Sequence, residues 1–313
     1  MVYKLFISRL LHYHIGTLSH WHIRFMETSE LIKKVRKIEI KTRGLSKNIF
    51  AGEYHTAFKG RGMTFAEVRE YQYGDDIRSV DWNVTARFGH PYIKVFEEER
   101  ELTVVLLIDV SGSREFGSVT QLKKDIFTEV AATLAFSTIQ NKDKIGVIFF
   151  SDKIEKFIPP KKGRKHVLHI IRELIDFKPE SNKTDIAGAL RYFTNAIKKS
   201  STAFIISDFM DSNFERDLTI ANRKHDVVAL QVYDIRETEL PDVGLVKLKD
   251  AETGERIWVD TSDKRLRTTY KHAWGQGQLT LQRIFTKSGV DSVSMSTSED
   301  YVRALMKLFK MRA

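Results

Sequence analysis

The chain has 313 residues, with 51 basic and 41 acidic side chains and a formal net charge of +10. Hydrophobic residues make up 42% and charged residues 29%, a composition typical of a globular protein with a sizeable core. There is no cysteine, which excludes disulfides, thiolate zinc sites and cysteine nucleophiles. The length predicts one large domain with a smaller one. The lack of disulfides fits a cytoplasmic location, which we expect.

The N-terminal region predicts a helix preceded by an unusual segment. The first 25 residues lack the continuous apolar stretch of about 20 residues that spans a bilayer, and no small-residue cleavage site follows them. Met26 opens a clean helical pattern, so we expect residues 1–25 to be a non-native or mis-assigned extension, with a membrane-surface helix as the alternative. Residues 27–42 predict a basic amphipathic helix.

The densest basic group of the chain lies in and just after that predicted helix. It consists of Lys33, Lys34, Arg36, Lys37, Lys41, Arg43 and Lys47. We interpret it as a solvated face and expect no nucleic-acid partner. The alternative is a nucleic-acid-binding protein, whose affinity would fall steeply with salt. We expect no transmembrane segment, and peripheral membrane association stays open.

Residues 44–98 are punctuated by glycines at positions 52, 60, 62, 74 and 89, with short aromatic runs between them. This pattern predicts loops and short strands, with one strand at Tyr92–Glu97. We therefore expect a small β-rich subdomain at 44–98. It would lie between an N-terminal extension and helix at 1–43 and a larger domain at 99–313.

From residue 102 onward, apolar strands alternate with amphipathic helices. Strands are predicted at 102–108, 145–150, 154–158, 203–207, 227–233 and 290–295, and helices at 122–140, 164–177, 185–199, 213–224, 262–287 and 299–311. This alternation predicts an α/β fold with a doubly wound, mostly parallel sheet that is covered on both faces. Residues 243–260 interrupt the alternation and predict a β-hairpin with a short glycine turn.

Three distant segments place polar side chains where ligands would bind such a sheet. Asp109, Ser111 and Ser113 follow the first strand of the large domain, Thr184 opens a helical pattern, and Asp208 ends another strand. Ligands of open α/β sheets bind beyond the carboxyl ends of the strands. Hydroxyl and carboxylate oxygens are the donors that Mg²⁺ prefers. These residues therefore predict a site for Mg²⁺, with Mn²⁺ as the alternative ion.

The same residues resemble a known site. Asp109-x-Ser111-x-Ser113, with Thr184 and Asp208, resembles the metal-ion-dependent adhesion site (MIDAS) of von Willebrand factor A domains. Upstream, the segment Tyr-Gln-Tyr-Gly-Asp-Asp-Ile-Arg-Ser-Val-Asp-Trp-Asn-Val-Thr-Ala-Arg at 71–87 resembles the signature of the bacterial DUF58 family, in which it precedes a von Willebrand A-like domain.

The resemblance implies a function as well as a fold. It implies that Ser111, Ser113 and Thr184 coordinate Mg²⁺, with Asp109 and Asp208 largely behind them. It also implies a non-enzymatic adaptor that cooperates with a MoxR-type AAA+ ATPase in the assembly or maturation of a client protein. Hydroxyl ligands neutralise little of the metal's charge, so the ion would attract an acidic residue of a partner. The chain has no Gly-x-x-x-x-Gly-Lys-Ser/Thr loop of its own.

Simpler readings and an enzymatic alternative remain open at this level. Asp109 and Asp208 are also compatible with caps of helices or loops, and Thr184-Asp185 with a helix N-cap. A Mg²⁺-dependent phosphohydrolase would use Asp109 and Asp208 as metal ligands. Ser111 as a nucleophile lacks a Gly-x-Ser-x-Gly elbow and a histidine partner.

Three further charged residues are candidates for contacts with a partner or between domains. Arg78 and Asp81 are expected either to form an ion-pair network with Arg87 around Trp82 or to make an interdomain contact. Arg114 follows Ser113 where the resembling family commonly has an apolar residue. A guanidinium pointing inward would weaken cation binding, and one pointing outward would recruit a partner's carboxylate.

Overall fold

The computed structural model describes residues 13–15, 63–98, 102–117 and 122–312. The chain divides into two compact units, one formed by Phe58–Leu102 and the other by Met1–Ala57 together with Thr103–Ala313. The predicted start of the smaller unit at residue 44 lies outside the described residues. The predicted helix at 27–42 and the basic group around it lie outside the described residues.

The elements of the described residues follow the predicted alternation. The strands are β1 Tyr13–Ile15, β2 Met63–Glu70, β3 Tyr92–Glu98, β4 Thr103–Asp109, β5 Lys144–Phe150, β6 Ile154–Lys161, β7 Thr202–Ser207, β8 Asp226–Tyr233, β9 Leu245–Asp250, β10 Arg256–Asp260 and β11 Asp291–Ser296. The helices are α1 Trp82–Phe88, α2 Lys123–Asn141, α3 Arg164–Asp176, α4 Ile186–Ala196, α5 Glu215–Lys224, α6 Ile235–Thr238, α7 Lys264–Ser288 and α8 Tyr301–Arg312.

The smaller unit is built on an antiparallel pair, β2 with β3. Between these strands lie a short 3₁₀ turn at Ile77–Ser79 and the helix α1. Asp81 is the N-cap of α1, and Gly89 ends it in the left-handed region with φ 74°, a conformation that favours glycine. The unit is β-rich as predicted, but it also contains this helix, where the sequence suggested only loops and strands.

The larger unit is organised around a six-stranded sheet in the order β11-β8-β7-β4-β5-β6. Neighbouring strands are parallel except β6, which runs antiparallel to β5 at the edge. The predicted fold class is therefore confirmed. We expected β6 to stop before Pro159 and Pro160, but it continues through both. An edge strand can do so because it accepts residues that lack a backbone N–H.

Both faces of this sheet are covered by helices. Val105 and Leu107 of β4 belong to a buried cluster to which α4, α5 and α7 contribute Leu190, Leu218 and Phe285. On β4 the residues from Val104 to Ile108 are completely buried. Helix α2 contacts β4, β5, β7 and β8, and it packs beside α3. A strand buried on both faces must be apolar throughout, which explains the continuous apolar runs in the sequence.

A second, smaller sheet has the order β1-β9-β10. β9 and β10 form the predicted hairpin, and Gly254 in its turn has a positive φ of 74°. β1 pairs antiparallel with β9. Tyr13–Ile15 thus form a strand within the segment that we expected to be an extension. Among the described residues, each helix is too short or too polar to cross a lipid bilayer.

Candidate metal centre

The site lies where the strand order of the large sheet reverses. β4 is flanked by β5 on one side and by β7 on the other, so their loops diverge at the carboxyl ends, which is where α/β sheets bind ligands. Asp109 ends β4, and Asp208 directly follows β7. Both carboxylates are buried, with 1% and 3% of their surface exposed. The sheet therefore brings together two acids that are far apart in the sequence.

Asp109 is held by neutral hydrogen-bond donors. Its carboxylate accepts hydrogen bonds from the backbone N–H of Ser111, at 2.9 Å, and from the hydroxyl of Ser207, at 2.7 Å. Burial raises the pKa of Asp109 to about 7, and the nearby charge of Asp208 adds to this rise. Asp109 is thus fixed in position, and its negative charge would be favoured by a cation in the site.

The two serine hydroxyls lie beside these acids. Ser111 is fully buried, and its Oγ lies 3.2 Å from Oγ of Ser113. The side chain of Ser111 opposes the rise in the pKa of Asp109, and that of Ser113 helps to lower the pKa of Asp208. A hydroxyl that gives its proton to a carboxylate keeps its lone pairs for another ligand. Two oxygens on adjacent octahedral positions of Mg²⁺ lie about 3 Å apart, so the serine pair fits this ion.

Asp208 has a direct cationic partner that the sequence reasoning missed. The ammonium of Lys123 is completely buried and lies 2.9 Å from Oδ2 of Asp208. Burial would raise the pKa of Asp208, but the charge of Lys123, together with the side chain of Ser113, outweighs it and lowers this pKa. Lys123 also pairs with Glu237, whose pKa burial raises to about 7.

A sequence signal for Lys123 does exist. Ile126, Phe127 and Val130 follow it at helical spacings of three, four and seven residues and are all buried. Lys123 therefore lies on the apolar stripe of α2, and a lysine on such a stripe requires a buried partner. Glu237 had a signal too, since Asp234-x-x-Glu237 forms a capping box at the start of α6.

Thr184 is brought to the same edge by its neighbours. The backbone N–H of Gly112 donates to the carbonyl of Asn182 at 3.0 Å, and that of Asp185 donates to the carbonyl of Ser151 at 2.9 Å. Asp185 accepts from the N–H of Gly188 at 2.7 Å and caps α4, so the N-cap interpretation holds for Asp185. The side chain of Thr184 opposes the rise that burial causes in the pKa of Glu252, in the β9–β10 turn, a residue that the sequence did not connect with this site.

The outward role suggested for Arg114 is wrong. Arg114 is only 6% exposed, because its guanidinium reaches back to donate to the carbonyl of Phe177 at 2.7 Å. Burial lowers the pKa of Arg114, against the charges of Glu115 and Asp109. A buried guanidinium that is tied to a carbonyl is not available to a partner protein.

The expected ion-pair network of the smaller unit is also wrong. Asp81 accepts hydrogen bonds from the N–H groups of Asn83 and Val84 at 3.0 and 3.3 Å, and its ion pair is with Lys94 at 3.4 Å. Arg78 and Arg87 are exposed and do not join Asp81. The acid is engaged by its own helix and strand, so it has a local structural role, and a partner contact of Arg78 stays a prediction.

A metal at this edge would have to be held by hydroxyls, without a cage of acids. In the described part of the chain, no group of three or more histidine, aspartate and glutamate side chains is arranged to hold a metal ion. Ser111, Ser113 and Thr184 would hold the ion directly, with Asp109 and Asp208 behind the two serines. Bound there, the ion would supply an electrophilic centre that attracts an acidic side chain.

Comparison with known proteins identifies a family. Residues 67–278 match the family described as "Protein of unknown function DUF58". The uncharacterized protein Rv1480 of Mycobacterium tuberculosis is 29% identical over 290 residues, which cover 92% of this chain and 91% of the relative.

Two solved structures show weaker likeness. The conserved hypothetical protein BatB from Bacteroides thetaiotaomicron has a TM-score of 0.45 at 13% identity, covering 67% of this chain and 98% of BatB. Proximal thread matrix protein 1 from the mussel byssus, with a zinc-occupied MIDAS motif, has a TM-score of 0.34 at 17% identity, covering 42% of this chain and 38% of that protein. The fold is therefore defined by the strand order of the six-stranded sheet, β11-β8-β7-β4-β5-β6.

Proposed function

Since this chain belongs to the DUF58 family, we propose that it is a non-enzymatic adaptor that binds an acidic residue of a partner protein through Mg²⁺. The ion would be held by Ser111, Ser113 and Thr184. The observation that carries the proposal is the pair of serine hydroxyls, 3.2 Å apart, beside two buried carboxylates at the reversal point of the sheet.

The arrangement of charges supports binding more than bond-breaking chemistry. Asp109 and Asp208 are 1% and 3% exposed, and one oxygen of each is engaged by Ser207 and Lys123, respectively. A phosphohydrolase that uses these acids as its metal ligands would need their oxygens to face the substrate. Ser111 contacts Ser113 and Asp109, and neither is a histidine base that would activate a nucleophile.

The partner in this proposal is a MoxR-type AAA+ ATPase of the cytoplasm, together with a client protein. The choice of this partner comes from the resemblance of the 71–87 segment and of the Asp-x-Ser-x-Ser pattern to the family. The ATPase would supply the nucleotide hydrolysis, and this chain would link it to the client through the metal.

Metal binding is tested first, with Mn²⁺ as a spectroscopic substitute for Mg²⁺. The full chain should bind Mn²⁺ in an electron paramagnetic resonance titration, and Mg²⁺ should compete. Ser113→Ala removes one proposed ligand and should weaken Mn²⁺ binding by about tenfold or more. Ser200→Ala is the control, because Ser200 is exposed and precedes β7 at the opposite end of the strand. Equal Mn²⁺ binding by the two variants would refute the site.

Partner binding is tested by capture of the purified ATPase. Association should require Mg²⁺, disappear with EDTA and be lost in Asp109→Ala, while Ser200→Ala should behave like the wild type. Association that is insensitive to both EDTA and Asp109→Ala would refute the metal-bridged adaptor. Turnover of phosphate esters by the purified chain, lost in the same variant, would favour the phosphohydrolase instead.

A further inference from the structure

The β9–β10 hairpin has one buried face and one exposed face. Leu248 and Val259 are buried in a hydrophobic cluster with Leu240 and with Tyr270 of α7. Successive residues of a strand point to opposite faces of the sheet, so the residues between them form the other face. That face consists of six exposed residues, which are Leu245, Lys247 and Lys249 of β9 and Arg256, Trp258 and Asp260 of β10.

The exposed face carries a large aromatic side chain beside a cation. Trp258 lies opposite Lys247 in the strand register and is 63% exposed. The ammonium of Lys247 lies 5.5 Å from the centroid of the Trp258 ring, within the range of a cation–π contact. Tryptophan and arginine are enriched in surfaces that bind other proteins, so this face has the composition of a binding surface.

The charges of this face are predominantly positive and are not neutralised within the hairpin. Lys249 lies directly opposite Arg256, and like charges in this position destabilise a sheet. In the described part of the chain, neither these two residues nor Lys247 forms an ion pair with a carboxylate. Asp260, the acid of this face, accepts a hydrogen bond from the N–H of Ser262 at 2.9 Å. The face would therefore attract an acidic ligand.

The backbone of β10 is open along its outer side. β10 lies at the edge of the sheet β1-β9-β10, and the N–H of Thr261 donates to the carbonyl of Gly244 at 2.8 Å. In an antiparallel pair, only every second residue exchanges hydrogen bonds with the neighbouring strand. Arg256, Trp258 and Asp260 are the alternate residues, so their N–H and C=O groups point away from β9. Such a row of groups is a template for another strand.

The hairpin is held firmly in place by its turn. A Cβ atom placed on Gly112 would lie only 2.4 Å from the carbonyl oxygen of Ala251, so the two backbones are in close contact. The carboxylate of Asp250 accepts hydrogen bonds from the N–H groups of Glu252 and Thr253 at 2.8 and 2.9 Å. An edge strand that is already fixed loses little conformational freedom when a partner pairs with it.

We propose that β10 binds an extended acidic segment of a partner protein, which pairs with it as an additional strand. Hydrogen bonds to the outer backbone groups of β10 would hold the segment. Its acidic side chains would lie beside Arg256 and the two lysines, and an apolar side chain would cover Trp258. Lipid headgroups and nucleic acids have no matching row of N–H and C=O groups, so the open edge favours a peptide.

This inference goes beyond the proposed function and does not depend on it. The surface contains none of the proposed metal ligands, so every measurement can be made with EDTA present. The probe is a fluorescent peptide of about seven alternating glutamates and valines, long enough to span the five residues of β10. Fluorescence anisotropy of this peptide with the full chain measures binding. A peptide with lysines in place of the glutamates is the charge control and should bind at least about tenfold more weakly.

Two N-methylated forms of the peptide test strand pairing directly. One carries methyl groups on the backbone nitrogens of its glutamates, and the other on those of its valines. In a paired strand, alternate N–H groups face the neighbouring strand and the others face solvent. One of the two forms should therefore lose binding, while the other should bind like the unmodified peptide. Equal affinities of the two forms would refute strand pairing.

Substitutions in the chain test the face of the hairpin. Trp258→Ala should weaken peptide binding by about tenfold or more, whereas Leu279→Ala, at an exposed position of α7, should leave it unchanged. Arg256→Gln should weaken binding and make it less sensitive to salt. Lys198→Gln is its control, since Lys198 is also exposed. Circular dichroism spectra that match the wild type would show that the variants are folded.

The other possible occupants give different results. No binding of the acidic peptide by the wild type, or equal binding by Trp258→Ala, would refute the proposal. Binding of phosphatidylserine vesicles or of oligothymidylate in place of the peptide, lost in Trp258→Ala, would assign the face to a lipid surface or a nucleic acid. A wild-type dimer in sedimentation that Trp258→Ala converts to a monomer would assign the edge to a second copy of the chain. Each of these results leaves the metal site untouched.

Discussion

Lys123 provides the sharpest test of the electrostatics of this site. Its ammonium has no exposed surface and contacts the buried carboxylates of Asp208 and Glu237. In Lys123→Met both acids would lose their cationic partner in a medium that solvates charge poorly. Breaking a buried ion pair by removing one partner costs about 3–5 kcal/mol. For a unit of this size, 1 kcal/mol shifts Tm by about 2–4 °C, so Tm should fall by roughly 6–20 °C.

The neighbouring lysine is a matched control. Lys124 lies on the same turn of α2 and pairs with Glu115 at 2.6 Å, but the two side chains are 40% and 54% exposed. An exposed pair of this kind contributes about 0–1 kcal/mol. Lys124→Met should therefore shift Tm by no more than a few degrees. Thermal unfolding followed by circular dichroism would measure Tm for both variants without metal, with EDTA present.

The loss in Lys123→Met should also depend on pH. Without the ammonium, burial would raise the folded-state pKa of Glu237 further and would bring that of Asp208 from below to above its unfolded-state value. A group with a raised folded-state pKa loses its stability contribution as the pH rises towards that pKa. The deficit of Lys123→Met relative to the wild type should thus be larger near pH 8 than near pH 5. A loss no greater than that of Lys124→Met, or one that shrinks as the pH rises, would refute the reasoning.

Three further predictions follow from other parts of the structure. Because burial raises the folded-state pKa of Asp109 to about 7, wild-type Tm measured calorimetrically in EDTA should fall as the pH rises through about 7, and Mg²⁺ should raise Tm more above that pH than below it. Gly112→Ala should lower the free energy of unfolding in urea by about 1–3 kcal/mol, since its Cβ would meet the carbonyl oxygen of Ala251 at 2.4 Å. Gly275→Ala, whose Cβ would have nothing within 4 Å, should stabilise α7 by about 0.5–1 kcal/mol. Equal effects of the two substitutions would contradict this prediction. Asp81→Ala should cost the smaller unit about 1 kcal/mol, visible as faster amide exchange at α1, and unchanged exchange would show that the cap contributes nothing.

Much of the fold and part of the site could be predicted because their signals are local. The strands of the large sheet are buried on both faces, so they are continuous apolar runs that end at polar residues. The predicted strand Leu102–Ile108 is shifted by one residue towards the N-terminus relative to β4, Thr103–Asp109. Asp109 and Asp208 end or follow two such runs, so strand positions alone placed both at the ligand-binding edge.

Helix α1 was missed for a related reason. It has only seven residues and no buried side chains, so it has no apolar stripe for a periodicity argument to find. Its start at Asp81 and its end at Gly89 are set by capping groups. These signals were present in the sequence, but a glycine-rich region favours loops unless the caps are weighed together.

The sequence determined which residues form the strands, where each strand ends and which hydroxyls and acids lie at those ends, because these depend on side-chain pattern within a few residues. Only the tertiary structure decided which charges meet. It paired Lys123 with Asp208 across 85 residues, turned Arg114 inward, and laid the β9–β10 turn on Gly112. Such pairings depend on long-range packing, since a buried charge takes whichever opposite charge the fold brings near.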